Sequence, residues 1–252
     1  MNLPAPFYVW QDQIAIDLPG GRALFTTRRG GSSEGPYRSL NLGRLTDDRP
    51  EFVIRNRQRV QALVGSRLGY IRQVHGTHVR RLTTIPDAPS DDPSVQSDFP
   101  EADGQATALR GVAPMVLVAD CLPVAVASRT AVAMLHCGWR GLVGGIVAEG
   151  VRAVRELGDS GQLFAAIGPG AGPCCYEVGE EVHADFAELG LEFRNGRKLD
   201  LKAGAREQLS RAGVGEIHDV ELCTICDDAS LLFSHRRDRG ITGRQAGVAW
   251  LS

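Results

Sequence analysis

The segment Met115–Gly141, MVLVADCLPVAVASRTAVAMLHCGWRG, constrains the fold more than any other part of this 252-residue chain. It holds two apolar runs, each short enough to be a buried strand. The first reaches Asp120-Cys121 and the second reaches His136-Cys137. The connector between them, Ser128-Arg129-Thr130, is short enough for a hairpin. If Leu117–Ala127 and Ala131–His136 are neighbouring strands of one sheet, Cys121 and His136 can face a shared cleft. A third group, His75, follows Tyr70-Ile71-Arg72-Gln73-Val74. An odd separation of three would put His75 and His78 on opposite faces of a strand, so only one of them can serve the cleft. One thiolate with imidazoles suits Zn²⁺, with a coordination position left for water or substrate, and the same donors would also take Cu²⁺.

The rest of the chain predicts strands alternating with helices. Phe7–Trp10 and Ala23–Thr27 read as strands, followed by a Gly/Ser loop over Arg29–Tyr37. A helix is expected to begin near Asp48, with Asp47 and Asp48 as caps and Pro50 in its first turn. Within it Val53, Val60 and Val64 recur at helical spacing. Pro86–Pro100, rich in Pro, Asp and Ser, reads as a surface loop. Leu142, Val143, Ile146, Val147, Val151 and Val154 line one face of an expected helix. Phe164–Ile167 reads as a buried strand ended by Gly168–Pro173. Glu180–Leu189 and Leu201–Ala212 read as helices, and Ile241–Trp250 as a closing strand. There is no internal repeat. The expected fold is α/β, a single domain (1–252) of mixed β-sheets layered with α-helices.

Composition excludes more than it identifies. With 43% hydrophobic and 23% charged residues the chain is ordinary for a globular protein, and its net charge of −2 gives no case for nucleic acid. No apolar run approaches the ~20 residues of a membrane span. Met1–Trp10 lacks the basic start and apolar core of a secretory signal, so a cytoplasmic location is expected. The six cysteines are then free thiols or ligands rather than disulfides, and most read as small buried hydrophobes. Cys223-Thr224-Ile225-Cys226 has CxxC spacing, but the sequence shows no second pair to complete a zinc site. No heptad or exposed apolar helix argues for assembly, so oligomeric state stays open.

A set of ordered pieces carries a resemblance: FTTRRGG…GPYRSLNLG (Phe25–Gly43), Asn56-Arg57, QVHG (Gln73–Gly76), ADG (Ala102–Gly104), ADCLPV (Ala119–Val124), HCGWRG (His136–Gly141), IGPGAGPCCYEVG (Ile167–Gly179) and TGR (Thr242–Arg244). Together they resemble the polyphenol-oxidase or laccase-domain family, YfiH-like, also described as purine nucleoside phosphorylase. The resemblance implies one α/β domain and a zinc triad of His75, Cys121 and His136. It further implies phosphate-dependent cleavage of adenosine, inosine, guanosine and S-methyl-5′-thioadenosine, with adenosine deamination. This chain has Cys137 where the family usually has Ala, a small-for-small change that reads as packing.

Residues able to support that chemistry can be nominated, each beside a plainer reading. Arg28 with Gly30 and Gly31 would make a phosphate cradle, or else a hairpin turn with a solvated arginine. Asn41 would bond a ribose hydroxyl or base, or form an Asx turn. Arg140 would anchor phosphate or brace the fold. Asp103 and Asp120 are the acids available for deamination, with bracing the structure or orienting a ligand as the alternative for Asp120. The HxE…PCxxC signature of cytidine-type deaminases is absent. Gly168–Pro173, Tyr176 and Glu177 would wall the cleft.

Three rival readings remain at this stage. One is a copper-dependent polyphenol oxidase, although six histidines with no His-x-His pair are few for a multicopper cluster. Another is a cysteine hydrolase editing peptidoglycan precursors, with Cys121 as nucleophile and His136 as base. The last is a binding module that senses nucleosides or metal without turnover.

Overall fold

The computed structural model describes residues 1–87, 99–159 and 161–252. Most of the expected 86–100 loop therefore lies outside the described residues. In chain order the strands are β1 (Tyr8–Trp10), β2 (Gln13–Leu18), β3 (Gly21–Phe25), β4 (Arg67–Leu68), β5 (Val79–Leu82), β6 (Gly104–Thr107), β7 (Val112–Ala113), β8 (Met115–Val118), β9 (Leu122–Ala127), β10 (Val132–Cys137), β11 (Leu163–Ile167), β12 (Arg194–Asn195), β13 (Lys198–Leu199), β14 (Val214–Asp219) and β15 (Gln245–Leu251). The helices are α1 (Pro50–Val64), α2 (Trp139–Gly144), α3 (Ile146–Leu157), α4 (Glu180–Glu188) and α5 (Leu201–Arg211).

Two sheets stack face to face. One runs β1-β2-β3-β15-β8 and the other β14-β11-β9-β10-β6-β5, while β4–β7 and β12–β13 are minor pairs. Between the sheets lies a core that includes Ile14, Ile16, Phe25, Val116, Ala125, Val132 and Met134. The outer face of the six-stranded sheet is covered by apolar residues of α2, α3, α4 and α5, and that of the five-stranded sheet by Val60 and Val64 of α1. The layers are therefore helix, sheet, sheet, helix. The six-stranded sheet is mixed: β9 pairs antiparallel with β10 and β11, whereas β11–β14 and β5–β6 are parallel.

Burial on both faces explains why β9 and β10 read as unbroken apolar runs rather than alternating ones. Alternation is nevertheless present in where their side chains go. Ala133, Leu135 and Cys137 of β10 join the helix-side core, while Val132 and Met134 face the other sheet. His136 shares the parity of Val132 and Met134. On β9, Leu122, Val124 and Val126 face the helices and Ala125 and Ala127 face the other sheet, which is also the side of Cys121.

Several expectations are corrected by the structure. The strand expected over 117–127 is two strands in different sheets: β8 ends at Val118, the backbone turns at Asp120 with φ of 99°, and β9 begins at Leu122. The helix expected across Leu142–Val154 breaks at Gly145, whose φ of 92° closes α2 before α3 starts. α1 does begin at Pro50, but its N-cap is Arg49 without a side-chain cap, because Asp48 instead accepts hydrogen bonds from the Asn41 amide and the Arg49 N–H. β15 starts at Gln245 rather than Ile241, and β2 was not anticipated.

The contact of α3 with β10 is tight. A Cβ on Gly150 would fall inside the van der Waals radius of the Leu135 methyls, and one on Gly104 would lie 2.8 Å from the same side chain. Gly150→Ala should therefore destabilise the protein by about 1–2 kcal/mol, overpacking outweighing a helix-propensity gain of about 1 kcal/mol. In a Leu135→Ala background the same change should become stabilising, and urea unfolding of the four variants measures the sign reversal.

Candidate metal centre

The β9–β10 register places Cys121 beside the end of β10, since His136 pairs with Pro123 and Cys137 with Leu122. His75 arrives from a different stretch of chain. It lies in a loop rather than a strand, at φ of 60°, so face alternation does not decide between it and His78. The Gln73 amide both donates to and accepts from the backbone of Leu117, which ties this loop to β8. One potential ligand atom each from His75, Cys121 and His136 lies within 4.8 Å of the others. The two imidazole rings meet edge to face, their centroids 4.9 Å apart. His136 is buried, Cys121 half-buried and His75 exposed, so the group is open on the His75 side.

One carboxylate organises both histidines. Asp103 is fully buried. Its Oδ1 accepts from the His75 N–H at 2.9 Å and faces His136 Nδ1 at 2.8 Å, while Oδ2 accepts from the N–H groups of Val74 at 3.1 Å and Gly76 at 2.6 Å. An ionised carboxylate can only accept, so His136 carries its proton on Nδ1 and turns Nε2 toward the cluster. Burial alone would raise the Asp103 carboxyl, but the His136 ring and the Gly76 and Val74 N–H groups hold it below its ordinary value. Asp103 is thus a positioning residue for the histidines, and the reading of it as an acid available for deamination is corrected: both its oxygens are occupied.

The sulfur is strongly acidified. Burial opposes ionisation of Cys121, but the charge and hydrogen bond of His136, with a further bond from His75, bring it down to about 6. Burial likewise opposes protonation of His136, yet Cys121 and Asp103 raise it to about 9. Both shifts favour the thiolate–imidazolium form of the pair. Cys137 behaves oppositely: wholly buried on the helix side, its thiol is pushed far up, in keeping with a packing role.

The neighbouring Asp120 is a brace. Its Oδ1 accepts from the Thr224 hydroxyl at 2.6 Å, Oδ2 from the Arg236 N–H at 2.7 Å, and its carbonyl from the Ala171 N–H at 2.7 Å. These bonds fix the left-handed backbone just before Cys121, a conformation costing a non-glycine residue about 1–3 kcal/mol. Gly138 completes the approach, because a Cβ there would sit 3.0 Å from Cys121 Sγ.

The other nominated residues divide. Asn41 is wholly buried and saturated: its amide donates to Thr46 and Asp48, and its carbonyl accepts from the N–H groups of Gly43 and Arg244. It is a structural junction with no atom left for a ribose. Arg28 gives three of its five N–H groups to the carbonyls of Arg38, Ala229 and Pro36 and lies over the Phe233 ring, so it clamps the loop after β3. Arg140 is exposed, stacked on Trp139, and its charge bears on Tyr176. Burial and the Cys121 charge push the Tyr176 phenol up to about 12, so it stays protonated.

Two arginines were not nominated from sequence. Burial lowers Arg244 while Asp120 and Cys121 draw it back up, which places its half-buried charge beside the cluster. Arg236 stacks on Tyr176 and donates to the Glu177 carbonyl. Arg244 closes the TGR piece, which was visible in sequence without a role.

A family model described as multi-copper polyphenol oxidoreductase laccase matches residues 22–252. The chain belongs to this laccase-domain family. Other proteins similar to it include a purine nucleoside phosphorylase of Streptomyces coelicolor, 40% identical over 246 residues and covering 92% of this chain and 96% of that one. The purine nucleoside phosphorylase YfiH of Escherichia coli is 36% identical, over 92% and 94% of the two chains. Among solved structures, Bacillus licheniformis YfiH superposes with a TM-score of 0.87 at 32% identity, covering 99% of this chain and all of that one. YlmD of Geobacillus stearothermophilus gives 0.85 at 33% identity, over 98% and 99%.

Within this laccase-domain protein, Asp103→Asn would keep the shape but lose the charge that orients both imidazoles. Zinc affinity measured by competition with a chromophoric chelator should fall about 10–100-fold, with the circular dichroism spectrum retained.

Proposed function

We propose that this chain is a zinc-dependent purine nucleoside phosphorylase acting on adenosine, inosine, guanosine and S-methyl-5′-thioadenosine, with adenosine deaminase activity. We also read it as one cytoplasmic domain. The observation that carries the proposal is one sulfur and two imidazoles gathered within 4.8 Å, with the charge of Arg244 felt by Cys121 and that of Arg140 by Tyr176, in a chain whose relatives bear the phosphorylase name.

The donor set fits zinc: one acidified sulfur, two imidazoles and an open side. His75, Cys121 and His136 would hold the ion, which when bound supplies Lewis-acid stabilisation of developing negative charge and an acidified water. The protein's own groups account for the remainder. Arg140, exposed, holds phosphate, and the half-buried Arg244 adds a fixed positive charge. In phosphorolysis a phosphate oxygen bonds to ribose C1′ as the C1′–N9 bond breaks, and the purine leaves with the electron pair and takes up a proton. Tyr176, kept protonated, offers a hydrogen-bond donor on the wall. In deamination, water adds at the adenine C6 and ammonia leaves. Asp103 and Asp120 are not the proton shuttle, since hydrogen bonds occupy their carboxylates.

The multicopper reading finds little support. All six histidines fall among the described residues, and two of them enter a group able to hold a metal. A cysteine hydrolase acting on peptidoglycan precursors is favoured by one observation, the Cys121–His136 pair oriented by Asp103. A chelator separates these: the phosphorylase loses activity and regains it with Zn²⁺, whereas a thiol hydrolase is indifferent.

Chromatography of products from adenosine should show adenine only when phosphate is present and inosine with or without it. Neither product after prolonged incubation would overturn the proposal. Arg140→Ala should raise the KM for phosphate about ten-fold while kcat changes little, as expected for loss of one charge-assisted contact.

A further inference from the structure

Four of the six cysteines form a second cluster. Cys174 and Cys175 lie on the loop that leaves β11, and Cys223 and Cys226 on the loop that leaves β14. These strands are parallel neighbours, with Ile167 opposite Asp219, so their outgoing loops emerge side by side. The loops are stitched together by a backbone bridge between Gly170 and Cys223 and by the Thr224 N–H donating to the Gly170 carbonyl at 3.0 Å. The CxxC pair that lacked a partner in sequence thus acquires one in space.

The four sulfurs all lie within 4.8 Å of one another, and Cys174 Sγ is 3.3 Å from Cys226 Sγ. Tetrahedral zinc with Zn–S bonds of about 2.3 Å needs sulfurs about 3.8 Å apart, so the cluster already has the required scale. We propose that Cys174, Cys175, Cys223 and Cys226 bind a second, structural zinc ion as a Cys₄ site, separate from the His75–Cys121–His136 group.

Hydrogen bonding around Cys223 supports a thiolate ligand. Its sulfur accepts from the Gly172 N–H at 3.2 Å. Such a donor stabilises a charged sulfur and does little for a disulfide. Four crowded thiols cannot all ionise without a cation between them, and zinc supplies it while releasing their protons. The Lys198 ammonium on the Cys174 carbonyl adds positive charge beside a site of net −2.

The site has a structural task. The Cys223 loop carries Thr224, which holds Asp120, and the Cys174 loop leads directly into Tyr176. Zinc would lock both loops against the strand ends that shape the first centre.

The test uses untagged full-length protein, zinc-loaded and purified under a non-chelating reductant. Peptide mapping after alkylation of the wild type should find all four cysteines modified about ten-fold faster once a chelator is added. Zinc analysis should give two ions per chain in the wild type, and one each in Cys223→Ser/Cys226→Ser and in His75→Ala/His136→Ala. Cobalt bound to the latter variant should show intense thiolate-to-metal charge transfer and tetrahedral d–d bands. Alkylation unaffected by chelator, a cobalt-free histidine variant, or disulfides among these cysteines under reductant would each overturn the proposal. The histidine variant keeps this outcome distinct from failure of the first centre.

Discussion

The arrangement depends on a single buried negative charge. Asp103 receives four hydrogen-bond donors, three from the backbone of Val74, His75 and Gly76 and one from the His136 ring. A buried carboxylate without partners would be costly, and these donors both compensate it and convert the compensation into geometry. They bend the 74–76 loop into a left-handed turn and select the His136 tautomer. His75 and His136, 61 positions apart in sequence, are thereby aimed at one point, where Cys121 waits.

Asp120 performs the complementary task for the sulfur. The chain must cross from one sheet to the other between Val118 and Leu122, and the crossing requires an unusual backbone at Asp120. Hydrogen bonds from Thr224, Arg236 and Ala171 hold it there. The centre therefore lies where the two sheets separate, with rigid strands behind Cys121 and His136 and a clamped loop carrying His75. Such a frame suits a site that must keep its ligands in place while one side stays open.

Much of this was legible in sequence. The apolar runs of β9 and β10, their short connector and the groups at their ends gave the hairpin and two members of the triad, because burial on both faces leaves a strong hydrophobic signal. The helices after Pro50, Glu180 and Leu201 were visible in periodicity and turn residues. What failed had specific causes. An apolar run does not reveal a change of sheet, so the break at Asp120 was hidden, and an apolar helical face does not reveal the kink at Gly145. Asp103, Asn41 and Arg28 look like ligand-binding groups as residue types. Only their hydrogen bonds to the protein's own groups, which saturate Asn41 and occupy both oxygens of Asp103, show the part they play in holding the fold. The partnership of Cys174 and Cys175 with Cys223 and Cys226 depends on the parallel pairing of β11 and β14, a contact just over fifty residues apart that spacing cannot report.

The central claim is that one sulfur and two imidazole nitrogens meet at a single ion. X-ray absorption at the zinc edge tests it directly, using Cys223→Ser/Cys226→Ser so that only the first centre contributes. The account predicts one sulfur at about 2.3 Å with two or three nitrogen or oxygen neighbours at about 2.0 Å. Bound zinc with no sulfur in its shell, or no bound zinc in folded protein, would contradict it.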